Sequence, residues 1–169
     1  MYSILDTKTA GELYLVRQGL FNTEYELTDN INLYGKLSRQ RSFRRNATAI
    51  SATNTWIFQR GPLFSRTILI TDAKGEILGK TTRKWISRRT LVMLNTGFTA
   101  EFYRPFIFHR ECVWQSERYG KIMTIKKDLF SLTSVIRIEP ADIPGQPMPL
   151  LIFLGSYIAI LSRRRKAAH

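Results

Sequence analysis

Sulfur and acid are scarce in this chain of 169 residues. Cys112 is the single cysteine, which excludes an internal disulfide and a cysteine-rich metal site. Histidine is nearly as rare, with His109 and His169 far apart in sequence. His109 and Cys112 stand three residues apart, which on a strand puts them on opposite faces and makes a thiol–imidazole pair a poor expectation. Asp and Glu number 13 and are nowhere clustered at calcium-ligand spacing. The pairs Glu111 with Glu117 and Asp128 with Glu139 have no spacing that marks an acid–base couple. No GxGxxG, GxxxxGK[ST], CxxC or HExxH string occurs, so no dinucleotide, mononucleotide or zinc cradle is expected. The expectation is a protein that is not an enzyme and uses neither cofactor nor metal.

What the chain has is positive charge. Lys and Arg total 26, for a formal net charge of +13. That exceeds the ~2–8 that solubility needs and favours anionic partners: nucleic acid, anionic lipid headgroups or phosphorylated small molecules. The length suits one well-buried domain. Residues 1–12 read as a lead-in with Asp6, Lys8 and Glu12 and no apolar run, so no secretory leader is expected. The expected address is the cytoplasm, with peripheral association at a membrane surface.

Between residues 13 and 139 the pattern is β. Short runs such as Leu13–Gln18, Tyr25–Thr28, Ile68–Thr71, Thr90–Leu94, Thr99–Tyr103 and Cys112–Ser116 end on turn residues about every ten positions. Lys121–Lys126 and Ser134–Glu139 add two more. Asp72-Ala73-Lys74-Gly75 is a hairpin signal. An internal repeat relates 25–62 to 68–105: Thr28-Asp29 matches Thr71-Asp72, Gly35-Lys36 matches Gly79-Lys80, and Arg44-Arg45 matches Arg88-Arg89. Arg39 aligns with Arg83 and Arg60 with Arg104, and Tyr119-Gly120-Lys121 reads as the start of a partial third copy. Ten to twelve antiparallel strands in tandem units wrap into a closed barrel, which leaves no exposed edge. A barrel of about twelve strands is wider than the ~8 that side chains alone fill.

The last twenty or so residues supply a filler. Pro149 to Ser162 is free of charge and apolar all round, followed by Arg163, Arg164, Arg165 and Lys166. Pro149 suits the first turn of a helix and the cations suit its last. A helix without a polar stripe is surrounded by protein or by lipid. As a tail anchor it reaches only about 21 Å, at about 1.5 Å per residue, against a hydrocarbon core of ~30 Å. Gly155, Ser156 and Tyr157 at its centre suit close packing better than lipid. The sequence therefore predicts a mainly β fold, a closed antiparallel barrel of about twelve strands over 13–139, with residues 148–165 as a central helix that emerges at a basic rim. A membrane tail anchor is the alternative.

The opening Leu13-Tyr14-Leu15-Val16-Arg17-Gln18-Gly19-Leu20-Phe21 with Tyr25-Glu26-Leu27-Thr28-Asp29, the hairpin Ile70–Lys80 and the terminal apolar helix together resemble the tubby-like superfamily. That group comprises tubby proteins, phospholipid scramblases and LURP-one-related proteins. The resemblance covers about residues 13–165. It implies a twelve-stranded barrel around a hydrophobic helix and, as in some members, binding of phosphoinositides or other anionic lipids. No tubby-type phosphoinositide motif maps onto this chain residue by residue, and the acidic calcium loop and cysteine clusters of scramblases are absent.

Two repeat-related basic clusters are the candidate ligand-binding residues. One is Lys36, Arg39, Arg41, Arg44 and Arg45; the other is Lys80, Arg83, Lys84, Arg88 and Arg89. Several cations on fixed elements suit a phosphorylated headgroup, with Arg giving bidentate contacts. Phe43 and Trp85 beside them suit the membrane interface. Solvated outer faces of strands explain the same cations without a ligand. Two other readings stand beside the lipid one. Nucleic acid would stack on Trp56, Phe58, Trp85, Phe102 and Tyr103, and a structural or adaptor protein would need no small ligand.

Overall fold

The computed structural model describes residues 1–8, 11–19, 24–39, 46–62, 65–83, 89–106, 110–127, 132–139, 143 and 147–166, with side chains of the final helix described as far as Ser162. Twelve strands precede one helix: β1 (Glu12–Arg17), β2 (Glu24–Thr28), β3 (Leu33–Arg39), β4 (Ala47–Ser51), β5 (Thr55–Arg60) and β6 (Ile68–Asp72), then β7 (Ile77–Arg83), β8 (Thr90–Leu94), β9 (Thr99–Tyr103), β10 (Glu111–Ser116), β11 (Gly120–Lys127) and β12 (Thr133–Ile138). The helix α1 is Pro147–Lys166. Each strand pairs antiparallel with its sequence neighbours, and β1 closes the ring by pairing with β12 from Glu12↔Arg137 to Val16↔Thr133. The expected closed barrel with a central C-terminal helix is thus the observed fold.

Alternation along the strands decides what faces the lumen. Leu13 and Leu15 of β1, Leu37 of β3, Ala47 and Ala49 of β4, Trp56 and Phe58 of β5 and Trp114 of β10 are buried inside the wall. The helix fills the space they enclose: Leu151 to Leu154 and Tyr157 have no solvent exposure. Its polar Ser156 hydroxyl donates back to the Ile152 carbonyl at 2.7 Å and so is satisfied without water. The helix begins at Pro147, one residue before the expected start at 148, with a proline at the first helical position, where the missing N–H loses no hydrogen bond. It lies inside the barrel, which sets aside the tail anchor. Among the described residues no helix is long and apolar enough to cross a membrane.

Two contacts fix the register of helix against wall. Phe153 packs on Trp56 with ring centroids 6.3 Å apart, and Tyr157 stacks on Phe58 at 5.6 Å. Residues four apart on a helix are separated by about 6 Å along its axis, and residues two apart on a strand by about 6.6 Å. The two periods match, so one helix face reads two successive inward positions of β5. On the other side, the Trp114 indole N–H donates to the Leu151 carbonyl at 2.9 Å. A Cβ at position 155 would stand 2.4 Å from that indole nitrogen, which is why glycine occupies it.

Three β-bulges shape the wall. The extra residues are Tyr34 in β3, Leu78 in β7 and Ile122 in β11, at equal spacing along the chain. Gly35, Gly79 and Met123 follow them, so it is Met123 and not Gly120 that occupies the position of the Gly-Lys glycines. A Cβ on Gly35 or Gly79 would meet a neighbouring-strand carbonyl at 2.3 or 2.4 Å. The turns before the first two bulges are tied by Asp29, which accepts the Ile31 and Asn32 N–H groups at 2.8 and 2.6 Å, and by Asp72, which accepts those of Lys74 and Glu76 at 2.9 and 2.8 Å. The Tyr34 hydroxyl, with those N–H groups, holds the Asp29 carboxyl far below the usual carboxylate range.

Candidate functional site

A closed antiparallel barrel sends every odd-numbered strand toward the same rim. Here each of the first four odd strands ends on arginine: Arg17, Arg39, Arg60 and Arg83. Lys127 ends β11, and Arg104 follows the end of β9. Even strands start at this rim, and three are preceded there by Arg66, Arg89 and Arg110. The opposite rim has the other sign at its strand ends. Asp72 ends β6, and Asp29, Glu117 and Glu139 directly follow β2, β10 and β12. The barrel is therefore electrically polar along its axis, with a cationic rim and a far rim.

The last described turn of α1 opens at the cationic rim. There Arg60, Arg66 and Arg83 surround a small recess of about 40 Å³ beside Thr67, Thr90 and the Ile158, Leu161 and Ser162 positions of the helix. Guanidinium groups from β5, β7 and the segment before β6 thus converge on one mouth, with hydroxyl groups among them. Such a set suits phosphate oxygens, which accept from planar N–H forks and O–H donors together. Exposed Phe106, two residues beyond Arg104, adds an apolar side chain at the same end.

The structure splits the ten expected ligand-binding residues. Arg41, Arg44, Arg45, Lys84 and Arg88 lie outside the described residues, as do Phe43 and Trp85. Of the other five, Lys36, Lys80 and Arg89 point away from the lumen, whereas Arg39 and Arg83 share the inward face of their strands. Lys36 is held by Glu24 at 2.8 Å, a pairing that raises its ammonium above the ordinary lysine range. Arg89 is bound to Glu101 at 2.8 Å and lies 4.5 Å over the Tyr103 ring. Among the described residues, Lys36 and Arg39 face opposite ways, as do Lys80 and Arg83, because residues three apart on a strand point to opposite faces. Arg83 reaches the recess, but Arg60 and Arg66, its partners there, were not among the expected site residues. Their signal was the recurrence of arginine at alternate strand ends.

The aromatic platform expected for nucleic acid is not on the surface. Trp56, Phe58 and Phe102 are buried in the lumen against the helix and Trp114. Tyr103 is half-buried under Arg89. Among the described residues no group of His, Cys, Asp and Glu is arranged to hold a metal ion. Cys112 is buried in the wall. Compared with family models, with curated proteins and with solved structures, the chain matches none.

Proposed function

We propose that this protein is a non-catalytic, tubby-like barrel that docks its cationic rim on anionic phospholipid surfaces. The observation that carries this reading is the segregation of charge by strand direction, with arginine closing β1, β3, β5 and β7 at one rim. Arg39 is buried, but the other cations around this end of the barrel can meet a flat surface together, and each cation near an anionic leaflet contributes about 1 kcal/mol. Arg60, Arg66 and Arg83 around one recess suit a single phosphate group of that surface. Phe106, 63% exposed, supplies an aromatic side chain at interface depth. The twelve-stranded barrel around a hydrophobic helix is also what the resemblance to tubby-like proteins implies.

Nucleic acid presents phosphates too, but three of the five rings expected to stack bases, Trp56, Phe58 and Phe102, are buried in the core. The expected result of co-sedimentation is binding to vesicles of phosphatidylcholine mixed with phosphatidylglycerol and none to phosphatidylcholine alone. Binding should weaken steeply as salt rises, since exposed charges are screened within about 10 Å at 0.1 M. Equal partitioning onto both vesicles would refute the reading. So would a single-stranded oligonucleotide that binds at the same salt while the vesicles do not.

A further inference from the structure

The far rim holds a cleft of about 600 Å³ at the start of α1. This lies within the ~300–1,000 Å³ typical of small-molecule sites. Its walls come from the β4–β5 turn and start of β5, the start of β7, the β8–β9 turn, the β10–β11 turn and the first helical turn. We infer that this cleft binds a small organic monoanion with a flat apolar body, an aromatic carboxylate being the simplest example. The inference is independent of the lipid reading, since the two sites lie at opposite rims.

Three observations select that chemistry. The walls offer ring faces: Trp56 is buried at the base, and Phe98 and Tyr119 stack with centroids 6.2 Å apart and planes 20° from parallel. A planar apolar body slides against such faces in offset or tilted contact.

The polar end is positive. Arg118 lines the cleft with its guanidinium 5.4 Å over the Tyr119 ring, and no carboxylate is among the described lining residues. The first turn of α1 carries no acidic residue, so the positive end of its dipole meets the cleft uncompensated. Pro147 and Pro149 remove two of its N–H groups, so the helix contributes field and the donors come from side chains.

A donor is in place as well. Ser116 is 4% exposed and lines the cleft; its Oγ already accepts the Arg118 backbone N–H at 3.3 Å. Its own O–H has no acceptor among the described residues and is available to a carboxylate oxygen. A cation would meet Arg118 and no carboxylate among the described lining residues. A neutral ring would gain the walls and lose the charge-assisted bond, which is worth about tenfold or more in affinity.

Titration calorimetry with 2-naphthoate and its neutral counterpart 2-naphthamide tests this on the full chain. Wild type should bind one naphthoate saturably and at least about tenfold more tightly than the amide. Arg118→Gln should bring naphthoate down to the affinity of the amide. Thr96→Trp, at an exposed turn position on the cleft wall, should fill the space and remove both. Both positions are exposed, and thermal melting by circular dichroism should show an unchanged fold. The proposal is overturned if naphthoate gives no saturable heat, if the amide binds equally well, or if Thr96→Trp leaves naphthoate binding intact in a folded protein.

Discussion

Removing residues 147–169 is expected to leave a chain that does not fold, seen as loss of the β-sheet circular dichroism signal and of any cooperative melt. The reason is the size of what the helix buries. Met148, Leu150 to Leu154, Tyr157 and Ile158 are apolar or aromatic and all at least nine-tenths buried. At about 1.5–3 kcal/mol for each buried large side chain, their loss is comparable to the about 5–15 kcal/mol by which a domain is stable at all. The wall has no substitute: Ala47 and Ala49 of β4 and Gly35, beside Phe153, are small inward residues that leave room for the helix, and they cannot close over its absence. Gly155→Val is the single-residue version. It drives a branched side chain into the Trp114 indole and threatens its bond to the Leu151 carbonyl, for an expected loss of about 3 kcal/mol or more. A truncated chain that melts cooperatively as a β protein would show that the helix is not the core.

The second large effect concerns the rim. Arg66→Gln, Arg110→Gln and Lys126→Gln together remove three exposed cations from the cationic end. At about 1 kcal/mol each near an anionic leaflet, partitioning onto phosphatidylglycerol vesicles should fall by about a hundredfold. Lys8→Gln, Lys74→Gln and Lys121→Gln lower the formal charge of +13 by the same three units but outside that rim, and should change partitioning little. All six positions are exposed, so stability should stay within about 0.5 kcal/mol per site. Equal weakening by the two triple variants would mean that net charge alone, and not its placement, governs the association.

How far the sequence carried this reading varies by element. Thr90–Leu94 and Thr99–Tyr103 were legible to the residue because each alternates cleanly and is bounded by turn chemistry. The helix was legible because an uncharged run with apolar residues on every side has few places to go. β4 and β5 were not among the runs that stood out in the sequence. Their turn, Ala52-Thr53-Asn54, has neither Gly nor Pro, and the inward residues of β4 are alanines, small because the helix packs against them. β3 and β7 read as basic segments because their outward lysines hid an inward alternation that depends on two glycines.

The site was harder. Neighbours in sequence were grouped as Lys36 with Arg39 and Lys80 with Arg83, yet strand geometry turns each pair to opposite faces. What brings Arg60, Arg66 and Arg83 together is the antiparallel pairing of β5, β6 and β7, which sets Arg60 and Arg83 on either side of the start of β6 although 23 residues separate them in sequence. Once strand direction is known, the rule that arginine ends alternate strands can be read directly. The buried aromatics went to the lumen for a related reason: a helix needs two ring-bearing positions two apart on one strand, and Trp56 and Phe58 provide them.

The claim that one rim faces the membrane is tested most directly by an environment-sensitive fluorophore placed on each end in turn. Phe106→Cys puts it at the cationic rim and Ile31→Cys at the far rim, both at exposed positions, while Cys112 at 6% exposure stays unlabelled in the folded protein. With phosphatidylglycerol vesicles, emission from position 106 should shift to the blue and brighten, and emission from position 31 should not change. A shift at position 31 as large as that at 106 would contradict the account.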